Sequence, residues 1–307
     1  SDAEQRLRQE ILLGMGGMRF LDSLGIEPSA LHLNEGHPFL AVLERIRPRV
    51  EEGASFEDAF EAVRGSTIFT THTPVPAGSD VFPFQLMEKY LGPYLSALNV
   101  ERDAFLELGT NPEDPDAGFN TTVFALRAAE FRNGVSQRHG EVARKMWSHL
   151  WPDERQENIP IEAITNGIHL PSWVDASWLQ PVFDEHLGPS WVEGQDDPDT
   201  WDGVDEIPDD VLWEAHQDLK GDMLAEIDGR ARTNWHEESV PAPNVIAFGA
   251  LLDPEVLTLG FARRFTGYKR PDLILQDMER FKGLVTDPLH PVQVIFAGEA
   301  HPDDVEG

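Results

Sequence analysis

The sequence predicts an α/β fold, in which short buried strands alternate with longer helices. Apolar and β-branched runs of four or five residues recur along the chain, and apolar residues at helical spacing follow several of them. The clearest case is residues 256–296, where strand, turn, helix and strand succeed one another as a single βαβ unit. Because a parallel α/β sheet binds its ligands beyond the carboxyl ends of its strands, polar residues that follow a strand are candidates for a site.

The individual elements follow from apolar spacing and from the glycines and prolines that interrupt it. Helices are predicted over residues 3–20, 38–46, 56–63, 121–130, 140–147 and 211–235, and a further helical pattern opens at residue 272. Strands are predicted over residues 29–33, 67–70, 161–164, 256–259 and 292–296. Prolines between residues 74 and 83 predict a loop, Asn133-Gly134 predicts a turn, and the acidic, Trp-bearing segment 184–208 predicts a surface excursion.

Composition and charge limit the class of protein. A chain of 307 residues with 40% hydrophobic residues and 8 Trp can form one large or two ordinary domains. It has no cysteine, which excludes disulfides and thiolate metal sites, and we predict no metal site. The net charge of −31 argues against nucleic acid or an anionic membrane as a partner. No apolar run approaches the ~20 residues of a membrane span and no secretion signal is visible, so a cytoplasmic enzyme is expected.

Four cations lie close together between the predicted strand at 256–259 and the helical pattern that follows it. They are Arg263, Arg264, Lys269 and Arg270, in a chain with 24 Lys plus Arg against 55 Asp plus Glu. Positive charges fixed on one turn repel one another unless an anion joins them. Arginine offers planar forks that match phosphate oxygens, and lysine offers a point charge. The turn therefore predicts a phosphate site, with the balancing of an acidic surface as the alternative.

Five further segments place polar residues at strand ends or helix starts. They are residues 32–38 (HLNEGHP), 70–78 (TTHTPVPAG), 133–142 (NGVSQRHGEV), 164–173 (ITNGIHLPSW) and 296–302 (FAGEAHP). Taken singly, each has a structural explanation, such as a satisfied turn, an N-cap or a histidine beside a helix start. Their order along the chain is more specific than any one of them.

Together with the cation-rich turn, these segments closely resemble the α-glucan phosphorylase family (glycogen, starch and maltodextrin phosphorylases), especially its shorter bacterial and archaeal branch. The resemblance covers essentially the whole chain. It implies a two-domain Rossmann-like glycosyltransferase architecture, with residues 1–250 in the later part of an N-terminal glucan-binding domain and residues 251–307 at the start of a C-terminal cofactor- and phosphate-binding domain. It also implies a hexosyltransferase that transfers a terminal α-1,4-glucosyl unit to inorganic phosphate, giving glucose 1-phosphate.

The resemblance also implies roles for particular residues. It gives the catalytic contacts with substrate phosphate to Arg264 and Lys269, the contact with the phosphate of pyridoxal phosphate to Arg263, and substrate binding to His37, His72, His139 and Asn166. The implied partners are an α-1,4-glucan and phosphate, and a homo-oligomer is expected of the full-length parent. Glu299 departs from the family, which usually has lysine at that position.

The resemblance also implies that pyridoxal phosphate is attached to a lysine. The chain has 5 lysines, at positions 89, 145, 220, 269 and 282. None lies in the family's cofactor motif, so the attachment lysine is expected outside this chain, which we interpret as a fragment that is inactive alone. Two alternatives stay open: a nucleotide-sugar glycosyltransferase, which shares the α/β layout and basic turns, and a non-catalytic fragment whose Trp residues stack on sugars.

Overall fold

The computed structural model describes residues 3–75, 79–236 and 252–300, and the chain separates into two compact units, Ser1–Gly167 and Ile168–Gly307. The first unit is mixed α/β with a parallel sheet, which confirms the α/β part of the predicted fold class. The predicted domain boundary at residue 250 lies outside the described residues. None of the helices in the described ranges combines the length and the hydropathy that a bilayer span requires.

The first unit has helices on most of the segments whose apolar spacing predicts them. Its helices are Ala3–Ile11 (α1), Gly17–Ser23 (α2), Leu40–Glu51 (α3), Phe56–Arg64 (α4), Phe84–Ala97 (α5), Arg102–Gly109 (α6), Thr121–Ala128 (α7) and Gln137–Met146 (α8). Its strands are Leu31–Asn34 (β1), Thr67–Thr71 (β2), Val81–Phe82 (β3), Thr110–Asn111 (β4), Asp114–Asn120 (β5), Phe131–Gly134 (β6) and Glu162–Ala163 (β7). The sequence pattern did not indicate α5, α6 or β3 to β5.

The main sheet has the order β1-β2-β6-β7 with all neighbours parallel. A smaller antiparallel sheet has the order β3-β5-β4. The core between α6, α7, β5 and the start of α3 is aromatic, with ring centroids 5.1 Å apart for Phe105 and Phe119 and 5.5 Å apart for Phe39 and Phe124. Burial of these large rings provides a rigid base on which the strand ends are held.

The predicted turn at Asn133-Gly134 is wrong, because both residues belong to β6, an interior strand of the main sheet. Asn133 pairs with Thr70 of β2 on one side and with Glu162 of β7 on the other. The side-chain oxygen of Asn133 also accepts a hydrogen bond from Thr70 Oγ1 at 2.8 Å. Buried backbone N–H and C=O groups must be hydrogen-bonded. Strand pairing with β2 and β7 supplies these hydrogen bonds for Asn133 and Gly134, which an exposed turn would not.

The long N-terminal helix predicted over residues 3–20 is divided by a π-helical turn at Leu12–Gly16. A side chain at Gly14 would bring its Cβ within 2.7 Å of the backbone nitrogen of Ala41. Glycine therefore lets this turn lie against the start of α3, and the helix resumes as α2 and ends beside Gly25, whose φ is +68°.

The second unit contains the predicted long helix and the predicted βαβ unit. Its helices are Leu170–Trp173 (α9), Leu179–His186 (α10), Asp209–His236 (α11) and Met278–Val285 (α12), and its strands are Leu257–Ala262 (β8) and Val292–Ala297 (β9). The two strands pair in parallel over six residues. The helical pattern that opens at residue 272 forms only a 3₁₀ turn at Leu273–Leu275. The full helix starts later, where the Asp277 side chain accepts a hydrogen bond from the Arg280 nitrogen at 3.0 Å.

The acidic segment 184–208 is turn-rich as predicted, but it has its own aromatic centre. Trp191 is 2% exposed, and its ring centroid lies 5.3 Å from that of Phe183 and 6.0 Å from that of Trp201. The Trp191 indole nitrogen donates to Asp184 Oδ1 at 2.9 Å. Aromatic packing therefore gives this segment a fixed structure despite its charge.

Candidate functional site

The carboxyl ends of the four parallel strands lie at one edge of the main sheet. The segments that leave this edge contain three of the predicted substrate-binding residues: His72 and Asn166 in loops, and His139 in the first turn of α8. Residues 76–78 of the loop that follows β2 lie outside the described residues, as do His301 and Pro302.

Glu35 follows β1 and holds the backbone that leaves β2. Its carboxylate accepts hydrogen bonds from Thr71 Oγ1 at 3.3 Å, from Thr73 Oγ1 at 3.1 Å and from the backbone nitrogen of His72. The Glu35 side chain is 15% exposed, and His72 Nδ1 lies 3.7 Å from its Oε1. The loop after β2 is thus fastened to the neighbouring strand end by one carboxylate.

His139 lies in the first turn of α8, where Ser136 caps the helix by accepting a hydrogen bond from the His139 nitrogen at 3.1 Å. The imidazole Nδ1 accepts from the Val135 nitrogen at 3.2 Å, so the ring proton is on Nε2. Nε2 lies 3.2 Å from the carbonyl oxygen of Thr73, to which it donates. Both ring nitrogens are therefore occupied by backbone groups, and a sugar hydroxyl would share the Nε2 proton with Thr73.

The backbone of Asn166 is hydrogen-bonded to the segment that leads from β6 to His139. Its nitrogen donates to the Val135 carbonyl oxygen at 3.2 Å, and the Ile164 nitrogen donates to the Gly134 carbonyl oxygen at 3.0 Å. The Asn166 residue is exposed, so its amide is accessible to a ligand. Two glycines let α8 approach these strand ends: a Cβ at Gly134 would lie 2.9 Å from His139 Nδ1, and one at Gly140 would lie 2.9 Å from the Ala163 Cβ.

His37 is placed differently, in a cluster of charged side chains beneath the loop after β1. Its Nδ1 lies 3.0 Å from Asp80 Oδ2, 3.3 Å from Glu10 Oε1 and 2.9 Å from Arg6 Nη2. Arg6 Nε also donates to Asp80 Oδ2 at 3.1 Å. Glu10 is 1% exposed, and its second oxygen has no partner among the described residues. This charged cluster of Arg6, Glu10, His37 and Asp80 ties α1 to two strand-end loops.

The charged cluster shifts the protonation of its members. Hydrogen bonds to Asp80 and Glu10 raise the pKa of His37 to about 9. Burial raises the pKa of Glu10 to about 7. Burial also acts to raise the pKa of Asp80, but hydrogen bonds with His37 and Glu10 and the charge of Arg6 outweigh it and lower that pKa below its ordinary value.

Glu10, His37 and Asp80 each offer one atom of a type that binds metals, and these atoms lie within 4.8 Å of one another. Arg6 already reaches into this group, and protonated His37 adds a second positive charge. The carboxylates are thus compensated by protein cations, which makes a structural ion cluster the better interpretation of this arrangement.

In the second unit, the predicted phosphate-binding residues lie on the turn that follows β8. Arg263, Arg264 and Lys269 are all exposed. Arg263 Nη1 donates to the Ala262 carbonyl oxygen at 3.0 Å, and the Lys269 ammonium lies 4.8 Å from the centre of the Tyr268 ring. Arg270 has a φ of +53°, in the left-handed region that residues with a Cβ adopt rarely.

The loop after β9 supports this turn through its backbone. The Phe265 nitrogen donates to the Glu299 carbonyl oxygen at 3.1 Å. A Cβ at Gly298 would lie 2.1 Å from the Arg263 carbonyl oxygen, so only glycine permits this approach. Because Glu299 contributes its carbonyl group, the contact with Phe265 does not depend on which side chain stands at position 299.

The structure therefore joins His72, His139 and Asn166 in the first unit, places His37 in the charged cluster, and groups the cations in the second unit.

Sequence reasoning missed the roles of Glu35 and Asp80. The available signal for Glu35 was an acidic residue directly after a predicted strand, without a cation nearby in sequence. Nothing local indicates Asp80, whose contact with His37 is separated by 43 positions.

Comparison with known proteins matches one family over nearly the whole chain. The family model for carbohydrate phosphorylase matches residues 23–306. The chain is 44% identical to glycogen phosphorylase of Aquifex aeolicus over 306 residues, 42% identical to maltodextrin phosphorylase of Thermococcus litoralis over 309 residues, and 38% identical to glycogen phosphorylase of Mycobacterium tuberculosis over 321 residues. These alignments cover 100% of this chain but 44%, 36% and 36% of the relatives, so the chain spans less than half of their length.

Proposed function

Because this chain belongs to the carbohydrate phosphorylase family, we propose that it acts in the transfer of a terminal α-1,4-glucosyl unit from a glucan to inorganic phosphate. The product is glucose 1-phosphate. The observation that carries the proposal is the exposed cation-rich turn after β8, in a chain whose net charge is −31. The cations of this turn can bind an anionic substrate through charge-assisted hydrogen bonds, and they contribute little to binding a neutral one.

The first unit is proposed to bind the glucosyl unit. Neutral sugars are held by short polar side chains and backbone groups, and the loops of His72, His139 and Asn166 supply both. Asn166 offers an exposed amide that can donate and accept at once. The Nε2 proton of His139 and the Thr73 carbonyl oxygen form a donor and an acceptor side by side, which suits a sugar hydroxyl.

The second unit is proposed to bind the phosphate through Arg264 and Lys269. The phosphate would protonate the glycosidic oxygen as the bond from that oxygen to C1 breaks, and the same phosphate would then attack C1 from the same face. The anomeric configuration is retained, and no protein nucleophile is needed. The two cations stabilise the negative charge that the phosphate gains as it gives up its proton. This mechanism requires no pair of carboxylates of the kind that glycosidases use.

The family generally depends on pyridoxal phosphate, and the residues of this chain fit one part of that cofactor. Arg263 presents an exposed guanidinium that suits the cofactor phosphate. The lysines do not fit the attachment point as well: Lys89 Nζ lies 2.6 Å from Glu4 Oε1, and Lys220 Nζ donates to the Val256 carbonyl oxygen at 2.6 Å. The contribution of this chain to the cofactor is therefore proposed to be a phosphate contact.

Several broader properties belong to the same proposal. The two-domain glycosyltransferase architecture, with its boundary near residue 250, and a cytoplasmic homo-oligomer are what family membership suggests. The acidic surface supports a partner list of α-1,4-glucan and phosphate, without nucleic acid.

The test is an assay of the protein expressed from the complete reading frame that encodes this chain. Maltodextrin and phosphate are supplied, and glucose 1-phosphate is measured by coupled oxidation. Formation of glucose 1-phosphate, lost when phosphate is omitted, supports the proposal. Glucosyl transfer from a nucleotide sugar without any phosphorolysis would contradict the proposal and support the glycosyltransferase alternative. Glucan binding without either reaction would support the alternative of a non-catalytic binding fragment.

A further inference from the structure

We propose that Glu35 is a positioning residue that sets the loop after β2 and, through that loop, the hydrogen bonding of His139. The inference rests on the proposed function, because it assigns to Glu35 the shaping of the sugar-binding loops. Its structural part concerns only this chain and is testable without catalysis.

The backbone of Glu35 gives the first argument. Its φ is +62°, in the left-handed region, which a side chain with a Cβ disfavours and glycine adopts easily. The next residue, Gly36, has a φ outside that region. A residue with a side chain therefore occupies the strained position although a glycine is its neighbour. Strain of this kind persists where the side chain has a use that offsets it.

The carboxylate gives the second argument. It is mostly buried, and it accepts from two hydroxyls and one backbone nitrogen within three consecutive residues, Thr71, His72 and Thr73. The carboxylate fixes the His72 nitrogen directly, and it fixes Thr73 through its hydroxyl. Thr71 Oγ1, which donates to the same carboxylate, also accepts from the Thr73 nitrogen at 3.3 Å. The Thr73 carbonyl is consequently held at one orientation.

The third argument is the path from this loop to the sugar-side residues. The Thr73 carbonyl oxygen accepts from His139 Nε2 at 3.2 Å, and His139 Nδ1 accepts from Val135 at 3.2 Å. The Val135 carbonyl oxygen in turn accepts from the Asn166 nitrogen at 3.2 Å. One continuous hydrogen-bonded path thus connects Glu35 with His72, His139 and Asn166, across the ends of all four strands.

Glu35→Gly is the decisive variant, because it removes the carboxylate and relieves the backbone strain at the same time. The readout is the nitrogen NMR signature of the His139 ring in the 307-residue chain, assigned with a His139→Gln variant. In the unaltered chain we expect an unprotonated Nδ1 and a protonated Nε2. In Glu35→Gly we expect the proton to stay on Nε2, because the Val135 nitrogen still donates to Nδ1. We expect the Nε2 resonance to shift and its proton to exchange with water about tenfold faster, because Nε2 has lost its fixed acceptor. An unchanged His139 signature in this variant would overturn the proposal.

Three further variants keep the test decisive. Glu35→Gln has the same shape and keeps an oxygen acceptor for the His72 nitrogen, so it should restore most of the His139 signature. If Glu35→Gly does not fold, Thr73→Val replaces it: this variant removes the hydroxyl that donates to Glu35 at 3.1 Å and should change the His139 signature in the same direction. The matched control is Glu44→Gln, since Glu44 is a carboxylate 4% exposed in the same unit that accepts from Arg19 and Tyr94 instead. If Glu44→Gln altered the His139 signature equally, the effect of Glu35 would be a general loss of structure and the proposal would fail.

The functional readout uses the protein from the complete reading frame. For Glu35→Gly we expect the KM for glucose 1-phosphate to rise about tenfold, as for loss of a well-placed hydrogen bond. The KM for phosphate should stay within about twofold of its original value, because the phosphate contacts are supplied elsewhere. Equal changes in both constants would contradict the proposal. If the unaltered protein has no phosphorolytic activity, the proposed function fails, and the NMR experiment still decides the role of Glu35.

Discussion

The imidazole of His37 lies 3.0 Å from the carboxylate of Asp80, and this pair fastens the loop after β1 to the segment that leads into β3. Glu10 of α1 lies beneath the pair with 1% exposure. His37, which we predict to bind substrate, is thus also one partner in the charged cluster, in which Glu10 is buried and the other three side chains are about one-third exposed. Its contacts support the loops that leave the edge of the main sheet.

We predict that the contribution of the charged cluster to the stability of the chain falls as the pH rises from about 4.5 to about 9. The pKa of Glu10 is raised to about 7 and that of His37 to about 9, so each group stabilises the fold while it is protonated. The contribution of Glu10 is complete below its unfolded pKa and is lost as the pH rises through about 7, and that of His37 is lost through about 9. Glu10 accounts for about 3 kcal/mol of the loss, and His37 adds about 1 kcal/mol after allowance for its partial exposure. Urea unfolding at a series of pH values measures it.

His37→Gln should flatten this alkaline decline, because the group that loses its proton near pH 9 has been removed. Glu44→Gln is the matched control. Burial acts to raise the pKa of Glu44, but hydrogen bonds from Arg19, Tyr94 and Arg47 outweigh it and lower that pKa, so Glu44 titrates in acid. A control variant that lost the alkaline decline, or a His37 variant that kept all of it, would show that another group is responsible.

We also predict that Arg264→Ala and Lys269→Ala each lower phosphorolysis by on the order of a hundredfold at limiting phosphate, since each removes a charge-assisted contact to the reacting group. The measurement is initial rate against phosphate concentration in the protein from the complete reading frame. Arg280→Ala removes an exposed cation from α12 of the same unit and serves as the control for net charge. Near-normal rates in either of the first two variants would remove the cation-rich turn from the mechanism.

The parts of this structure that sequence could predict are those set by local pattern. The β-branched run of β2 and the apolar run of β8 were enough to predict both strands and to place polar residues at their ends. The same local reasoning failed at Asn133-Gly134, where pairing of Asn133 with Thr70 of β2, 63 positions away, overrides a turn signal. It also failed for Glu35 and Asp80, because their hydrogen-bond partners are distant in sequence and cannot be read from the neighbouring residues.

For the sugar side, we predict that Asn166→Ala weakens binding of glucose 1-phosphate by about 1–3 kcal/mol, since it deletes an exposed amide that pairs with a sugar hydroxyl. The expected change is in KM for the sugar substrate, with the unfolding transition unaltered because the Asn166 side chain is exposed. His139→Ala should raise the same KM and also lower stability, because its ring joins Val135 to Thr73. Asn158→Ala alters another asparagine of the same unit, outside the strand-end loops, and is the control. Kinetics that stay unchanged in both of the first two variants would exclude this pocket.

Finally, we predict that the 307-residue chain alone forms no stable adduct with pyridoxal phosphate and releases no glucose 1-phosphate. An adduct needs a lysine amine that is uncharged and free to react, and the structure engages several of the amines in polar contacts. Lys89 is paired with Glu4, which raises the pKa of Lys89, and Lys282 lies 3.5 Å from Glu279. Lys220 is 8% exposed, and its amine donates to a carbonyl oxygen. Borohydride reduction followed by peptide mass analysis detects any adduct, and free lysine under the same conditions gives the background level. A stoichiometric adduct on one lysine, or measurable turnover with maltodextrin and phosphate, would show that the cofactor attaches within this chain.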